Sequence, residues 1–166
     1  EMTPLFGQAL AVQVEDALRA TGTREIWEFG AGSGVLAAQL LGSLGLSITR
    51  YTIVDLSGTL RERQREALAG YGDKVLWVSE LPERFSGVVL GNEVLDAMPV
   101  KLLARKNGHW HERGLMAGLA WMDRATDSRP PVEIEGSHDY LTEIHPQAEA
   151  FIRTLADRLE QGAAFF

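Results

Sequence analysis

The sequence predicts an α/β fold organised on a doubly wound, mostly parallel sheet, and three observations carry that prediction. Short, continuously apolar segments of strand type alternate with helical segments in the order β-α-β-α-β, the pattern of a parallel sheet covered on both faces. A turn with three glycines in five positions, Gly30-Ala31-Gly32-Ser33-Gly34, joins the first strand to the next helix. Each bare residue there loses more backbone entropy on folding than any other would, so something must need the exposed main chain. Finally, 166 residues of which 45% are hydrophobic suit one domain with an ordinary core.

The elements follow in order. Thr3 stands as the cap of a helix whose first residue is Pro4, with Leu5, Phe6, Ala9, Leu10, Val14 and Leu18 at helical spacing until Thr21-Gly22 stops it. A first strand is expected over 24–29, an apolar helix over 35–44, a second strand over 48–54 and a charged helix over 58–68. Third and fourth strands are expected at 74–78 and 87–90. After Pro99 the rhythm changes: 101–105 and 109–113 flank Asn107-Gly108, a hairpin signal. The polar stretch 123–131 ends in two prolines and reads as a loop, helical pattern returns over 146–159, and Gly162 to Phe166 reads as a strand just beginning. The expectation is a single core domain over 1–166 with a hairpin and loop insertion at 101–140, cut from something longer.

Composition narrows the function. With 16 basic against 23 acidic residues and a net charge of -7, no general attraction to nucleic acid or anionic lipid is expected. Cysteine is absent, which excludes disulfides and thiolate metal sites. No apolar run is long enough to insert in a membrane, and no secretory pattern opens the chain.

A glycine-rich turn from strand to helix lets a ligand approach the main chain near the positive end of a helix dipole. The dinucleotide fingerprint wants glycine or alanine at its sixth position, where this chain has Val35. The spacing here is G-x-G-x-G with Glu28 two residues earlier, the pattern of class I methyltransferases that use S-adenosylmethionine. A carboxylate at 28 would counter the ammonium and sulfonium of that cofactor and repel a pyrophosphate. Asp55 ends the second strand, 25 residues after Gly30, where a carboxylate takes both ribose hydroxyls. Gly30, Ala31 and Gly32 then line the cofactor, Leu56 lies against the adenine, and Glu80 and Leu81 meet its edge. An NAD-dependent oxidoreductase is the competing reading of the same turn.

Ligands of an open parallel sheet meet where the winding reverses, between the first and fourth strands. The segment after the fourth strand is Gly91-Asn92-Glu93-Val94-Leu95-Asp96-Ala97-Met98-Pro99. Enzymes that methylate base or amide nitrogens show N/D-P-P-Y/F there, and Glu93 stands where the first proline would be, so such substrates are disfavoured. Glu93 and Asp96 are three residues apart and share a face if the segment makes a helical turn. A carboxylate pair grips a guanidinium bidentately, which points to arginine as the acceptor.

The opening 1–7, the loop 28–34, Asp55-Leu56-Ser57 and above all Asn92 to Val100, an N-E-x-x-D-x-x-P signature, resemble the MidA-like group. This group comprises the mitochondrial complex I assembly methyltransferases and their bacterial relatives. The resemblance implies a Rossmann-like class I methyltransferase fold, S-adenosyl-L-methionine as methyl donor with S-adenosyl-L-homocysteine as product, and Asn92 beside the cofactor. It also implies a protein substrate, in the mitochondrial branch an arginine of a respiratory complex I subunit. Location is then the cytoplasm for a bacterial member and the mitochondrial matrix for a eukaryotic one. Members are much longer and carry more strands, so the sheet is expected to be incomplete at its C-terminal side. A binding module that keeps the cofactor pocket and acts as an assembly chaperone is the alternative.

Other features read as structure. His109 and His111 alternate around Trp110, as two metal ligands would, but no third ligand stands at a recognisable spacing, so a half-exposed hairpin is expected. Arg61, Arg63 and Arg65 with Glu62 and Glu66 read as a solvated helix face, and Trp27, Trp77, Trp110 and Trp121 as packing residues.

Overall fold

The structure, a computed structural model, describes residues 3–132, 135–136 and 138–166. The chain forms two compact units: one is built from the residues up to Leu95 together with Thr154–Phe166, the other from Asp96–Arg153.

The first unit is the α/β domain that the alternation predicted. Its helices α1 (Pro4–Thr21), α2 (Val35–Leu44) and α3 (Gly58–Ala67) alternate with strands β1 (Glu25–Phe29), β2 (Arg50–Val54), β3 (Val75–Val78) and β4 (Phe85–Leu90). A last strand, β9 (Leu159–Phe165), completes a sheet of order β3-β2-β1-β4-β9 in which every pair is parallel. The core lies between one sheet face and α1 with α2. Ile26, Tyr51, Ile53, Val88 and Leu90 supply the sheet side, and Val14, Leu18, Leu36, Leu40 and Leu41 the helix side. Burial of side chains of this size stabilises by about 1.5–3 kcal/mol each. The opposite face carries Trp27, tilted against Phe85 at 4.9 Å between ring centroids, its indole N–H donating to Ser86 O at 3.1 Å.

Boundaries shift for physical reasons. Thr3 occupies the cap position of α1 with extended dihedrals, but its hydroxyl makes no capping bond. The helix instead relies on Pro4, whose φ suits the first turn and whose missing N–H needs no partner there. Leu159, expected in the last helix, opens β9, because the pairing with Phe85 of β4 draws it into the sheet.

The second unit holds β5 (Lys101–Lys106), β6 (His109–Leu115), β7 (Trp121–Ala125) and β8 (Tyr140–Ile144) in an antiparallel sheet of order β7-β6-β5-β8. The Asn107-Gly108 hairpin is as expected, with Asn107 and Gly108 both at positive φ. The loop expected over 123–131 holds from 126 onward, but its start is corrected: Asp123, Arg124 and Ala125 belong to β7, paired with β6. Their polarity hid the strand, and it is explained by Arg113, whose guanidinium donates to both oxygens of Asp123 at 2.7 and 2.8 Å across the strands. Lys106 adds a third contact at 2.5 Å, and together these cations hold the Asp123 carboxyl well below the usual carboxylate range. Trp121 is 60% exposed, so the expectation that it packs is also corrected. Helix α4 (Pro146–Arg158) leads out of this unit. Among the described residues no helix is long and apolar enough to cross a membrane.

Candidate cofactor-binding site

The chain winds from β1 to β2 and β3 on one side before crossing to β4 on the other side of β1, so the winding reverses between the carboxyl ends of β1 and β4. An open parallel sheet leaves a crevice there. The turns that follow these two strands meet: a Cβ on Gly30 would lie 2.8 Å from Val94 Cγ2. Gly30 and Gly32 have φ of +64° and +54°, a region costly for residues with a Cβ. At Gly30 the close approach and the conformation both demand glycine. At Gly32 only the conformation does, because an added Cβ would meet nothing within 4 Å, so the main chain there stands open. The Gly34 N–H donates to Ala31 O at 2.8 Å to close the turn, Ala31 is buried, and α2 begins at Val35 with its positive dipole end at this turn.

Glu28 precedes the turn on the core face of β1 and is 2% exposed. Its Oε2 accepts from the Tyr51 hydroxyl at 2.8 Å, a diagonal contact from β1 to β2. Burial pushes the carboxyl up from 4.5 to about 7, opposed by the Tyr51 hydrogen bond. Burial first, then the charge and bond of Glu28, raise the Tyr51 hydroxyl well above its ordinary value. Glu28 therefore stands near balance between its two protonation states at neutral pH, and a cation brought close would favour the charged one.

Asp55 follows β2, with both carboxylate oxygens bonded. Oδ1 accepts from the Ser57 N–H at 2.8 Å, and Oδ2 accepts from Gln64 Nε2 at 2.8 Å. The same Gln64 nitrogen donates to Gly32 O at 3.0 Å, while its Oε1 accepts from Trp77 Nε1 at 3.0 Å. One fully buried amide on α3 thus joins the glycine turn, the acid after β2 and the indole on β3. Arg61 corrects the reading of α3 as a merely solvated face. Its guanidinium donates to the carbonyls of Asp55 and Val78 and to Ser79 Oγ, while Arg65 lies 5.3 Å from the Trp77 ring centroid.

The other expected residues fall as follows. Leu56 is 83% exposed beside Asp55. Glu80 and Leu81 line an open cavity over the Trp27 face of the sheet with Leu76, Phe85 and Arg158, and Leu81 O accepts from Arg158 at 2.8 Å. Asn92, Glu93 and Asp96 are exposed in consecutive turns over 92–97, not in a helix, and Glu93 has φ of +53°. His109 and His111 lie on β6, His111 Nδ1 3.2 Å from His109 O. Among the described residues no group of three or more acids and histidines is arranged to hold a metal ion.

Sequence reasoning passed over Tyr51, Arg61 and Gln64. For Gln64 a signal was present. Leu60, Gln64 and Leu68 recur every four residues along α3 and its C-cap, so a polar side chain stands in the buried stripe of a charged helix.

Comparison with known proteins agrees with this geometry. The model of the family described as "Putative S-adenosyl-L-methionine-dependent methyltransferase" matches residues 9–166. A crystal structure of a candidate methyl transferase from Burkholderia thailandensis, bound to S-adenosyl-homocysteine, is 46% identical with a TM-score of 0.86, covering 100% of this chain and 47% of that one. A second native structure from Burkholderia thailandensis is 46% identical, with a TM-score of 0.84 over 98% of this chain and 48% of that one. The mitochondrial protein arginine methyltransferase NDUFAF7 homolog of Caenorhabditis elegans is 27% identical over an aligned length of 139 residues, with coverage of 68% of this chain and 32% of that protein. The chain thus spans about a third of the curated relative and about half of the solved ones. The reversed winding, the G-x-G-x-G turn and the match over 9–166 place this chain in that family of S-adenosyl-L-methionine-dependent methyltransferases.

Proposed function

We propose that this chain is the cofactor-binding part of a methyltransferase that acts on a protein, with an arginine guanidinium as acceptor. The observation that carries the cofactor reading is the bridge from Gly32 O through Gln64 to Asp55, which makes one rigid unit of an approachable main chain and a carboxylate. The residues suit the group. An acid at 28 favours a cationic donor over a pyrophosphate, and Asp55 keeps lone pairs for two ribose hydroxyls beyond the bonds it already accepts. S-adenosylmethionine, when bound, supplies a methyl carbon activated by its positively charged sulfur. The protein's part is positioning and electrostatics. Gly30, Ala31 and Gly32 let the ligand reach the backbone, Glu28 balances positive charge, Leu56, Glu80 and Leu81 border the adenine, and Asn92 adds a polar contact.

Glu93 and Asp96, in the exposed segment after β4, grip the guanidinium through their oxygens and turn one nitrogen toward the methyl carbon. The acceptor nitrogen gives up a proton as it gains the methyl group, and a carboxylate partner eases that loss. The name of the Caenorhabditis elegans relative supports arginine, and a complex I subunit is the substrate class that the sequence resemblance favours. The test is methyl transfer from labelled S-adenosylmethionine to proteins of the source cell, followed by hydrolysis. The expected label is N-methylarginine, lost in Glu93→Ala while S-adenosylhomocysteine binding stays within about threefold. Label on another residue type, or full transfer by Glu93→Ala, contradicts the arginine reading.

A further inference from the structure

We infer that Gln64 is the positioning residue of the cofactor site: it sets the rotamer of Asp55 and the carbonyl of Gly32 together, and the site's hold on the cofactor ribose runs through it. The inference rests on Asp55 being the ribose-binding acid and adds to it the residue that makes Asp55 competent.

The amide has one workable orientation. Nε2 gives its two hydrogens to two acceptors, Gly32 O at 3.0 Å and Asp55 Oδ2 at 2.8 Å, and Oε1 takes the only hydrogen that Trp77 Nε1 offers, at 3.0 Å. Turned over, Oε1 would face two acceptors and Nε2 a donor, so all three bonds would fail at once. A buried amide with every group bonded and no alternative is rigid, because any bond left unmade would strand a buried polar atom.

Rigidity matters because of what the bonds join. Among the described residues the Asp55 carboxylate has one other hydrogen-bond partner, the Ser57 N–H, on the opposite oxygen. Without Gln64 the carboxylate rotates about χ2, and its free lone pairs no longer point in one direction. The Gly32 carbonyl loses its side-chain tie at the same moment, in a residue already held at positive φ. Glutamate at 64 would keep the volume and the Trp77 bond but set a carboxylate against Asp55 and the Gly32 carbonyl.

The experiment is a double-mutant cycle on the full chain, read by calorimetric titration with S-adenosylhomocysteine and with its 2′-deoxyribose analogue. The proteins are wild type, Gln64→Met, Asp55→Asn and the double variant, with circular dichroism to show that each folds. Expected is a loss of at least tenfold in Gln64→Met for S-adenosylhomocysteine, a collapse of its preference over the deoxy analogue, and a double variant within threefold of Asp55→Asn alone. If Gln64→Met does not fold, Trp77→Phe removes only the donor that fixes Oε1 and is expected to weaken the same preference about threefold. Unchanged preference in Gln64→Met, or in Trp77→Phe where that variant replaces it, overturns the inference, as do losses that multiply in the double variant. Wild-type binding and preference in Asp55→Asn overturn the ribose reading itself and the inference with it, an outcome distinct from failure at Gln64 alone.

Discussion

The Tyr51 hydroxyl donates to Glu28 Oε2 at 2.8 Å between neighbouring parallel strands, inside the apolar layer under α1 and α2. A carboxyl so enclosed is a pH-dependent element of the fold. Its folded value of about 7 stands above the ordinary 4.5, raised by burial. The stability it contributes is therefore fully present below about pH 4.5 and is lost as pH rises through about 7. The loss is on the order of 3 kcal/mol. Thermal melts of Glu28→Gln between pH 5 and 9 should lack this fall and be the more stable at the alkaline end, while its affinity for S-adenosylmethionine drops. Parallel pH profiles for the two proteins would remove Glu28 from the account.

Tyr51→Phe deletes the hydrogen bond that holds the Glu28 value down. The carboxyl should then keep its proton to higher pH, and the midpoint at which S-adenosylmethionine affinity rises with pH should move upward. Stability should fall by about 1–3 kcal/mol for the orphaned buried oxygen. Calorimetry across the same pH range measures both.

Gly30 and Gly32 should respond differently to alanine. Gly30→Ala combines positive φ with a Cβ 2.8 Å from Val94 Cγ2 and should cost about 2–4 kcal/mol of stability. Gly32→Ala meets no neighbour within 4 Å and should cost only about 1 kcal/mol, from its conformation. Its loss should appear in cofactor affinity instead. Chemical denaturation beside ligand titration separates the two effects, and equal stability losses would contradict the distinction.

In the second unit, Asp123→Asn removes the acceptor shared by Arg113 and Lys106. Because the Asp123 value is depressed, its contribution is present above the ordinary carboxylate value of 3.8 and disappears as pH falls through the folded one. Hydrogen exchange should show β7 losing protection in the variant at neutral pH. Unchanged protection would mean that the ion pairs do not hold the strand.

Much of the first unit was legible because its physics is local. Val35 to Leu44 is helix over the residues expected, and the alternation of apolar strands with helices specified the parallel sheet without any long-range information. Of the candidate site, the glycine turn and the acid after β2 were legible, because each rests on one residue's conformation or charge. It was not legible where the meaning lies in a pairing. Leu159 is a good helix former that becomes strand because Phe85 draws it into the sheet, and Asp123 reads as loop until Arg113 lies opposite. Gln64 sits among charges on α3 and meets its partners only when β1, β2 and β3 bring Gly32, Asp55 and Trp77 to its two amide atoms.

On the proposed reading, the turn after β1 and the acid after β2 form one receptor for an S-adenosyl nucleoside. Calorimetric titration of the full chain with S-adenosylhomocysteine and, separately, with NAD tests it most directly. Expected is saturable one-to-one binding of the first, weakened at least tenfold in Asp55→Asn, and no heat from the second. Binding of NAD with indifference to S-adenosylhomocysteine would contradict it.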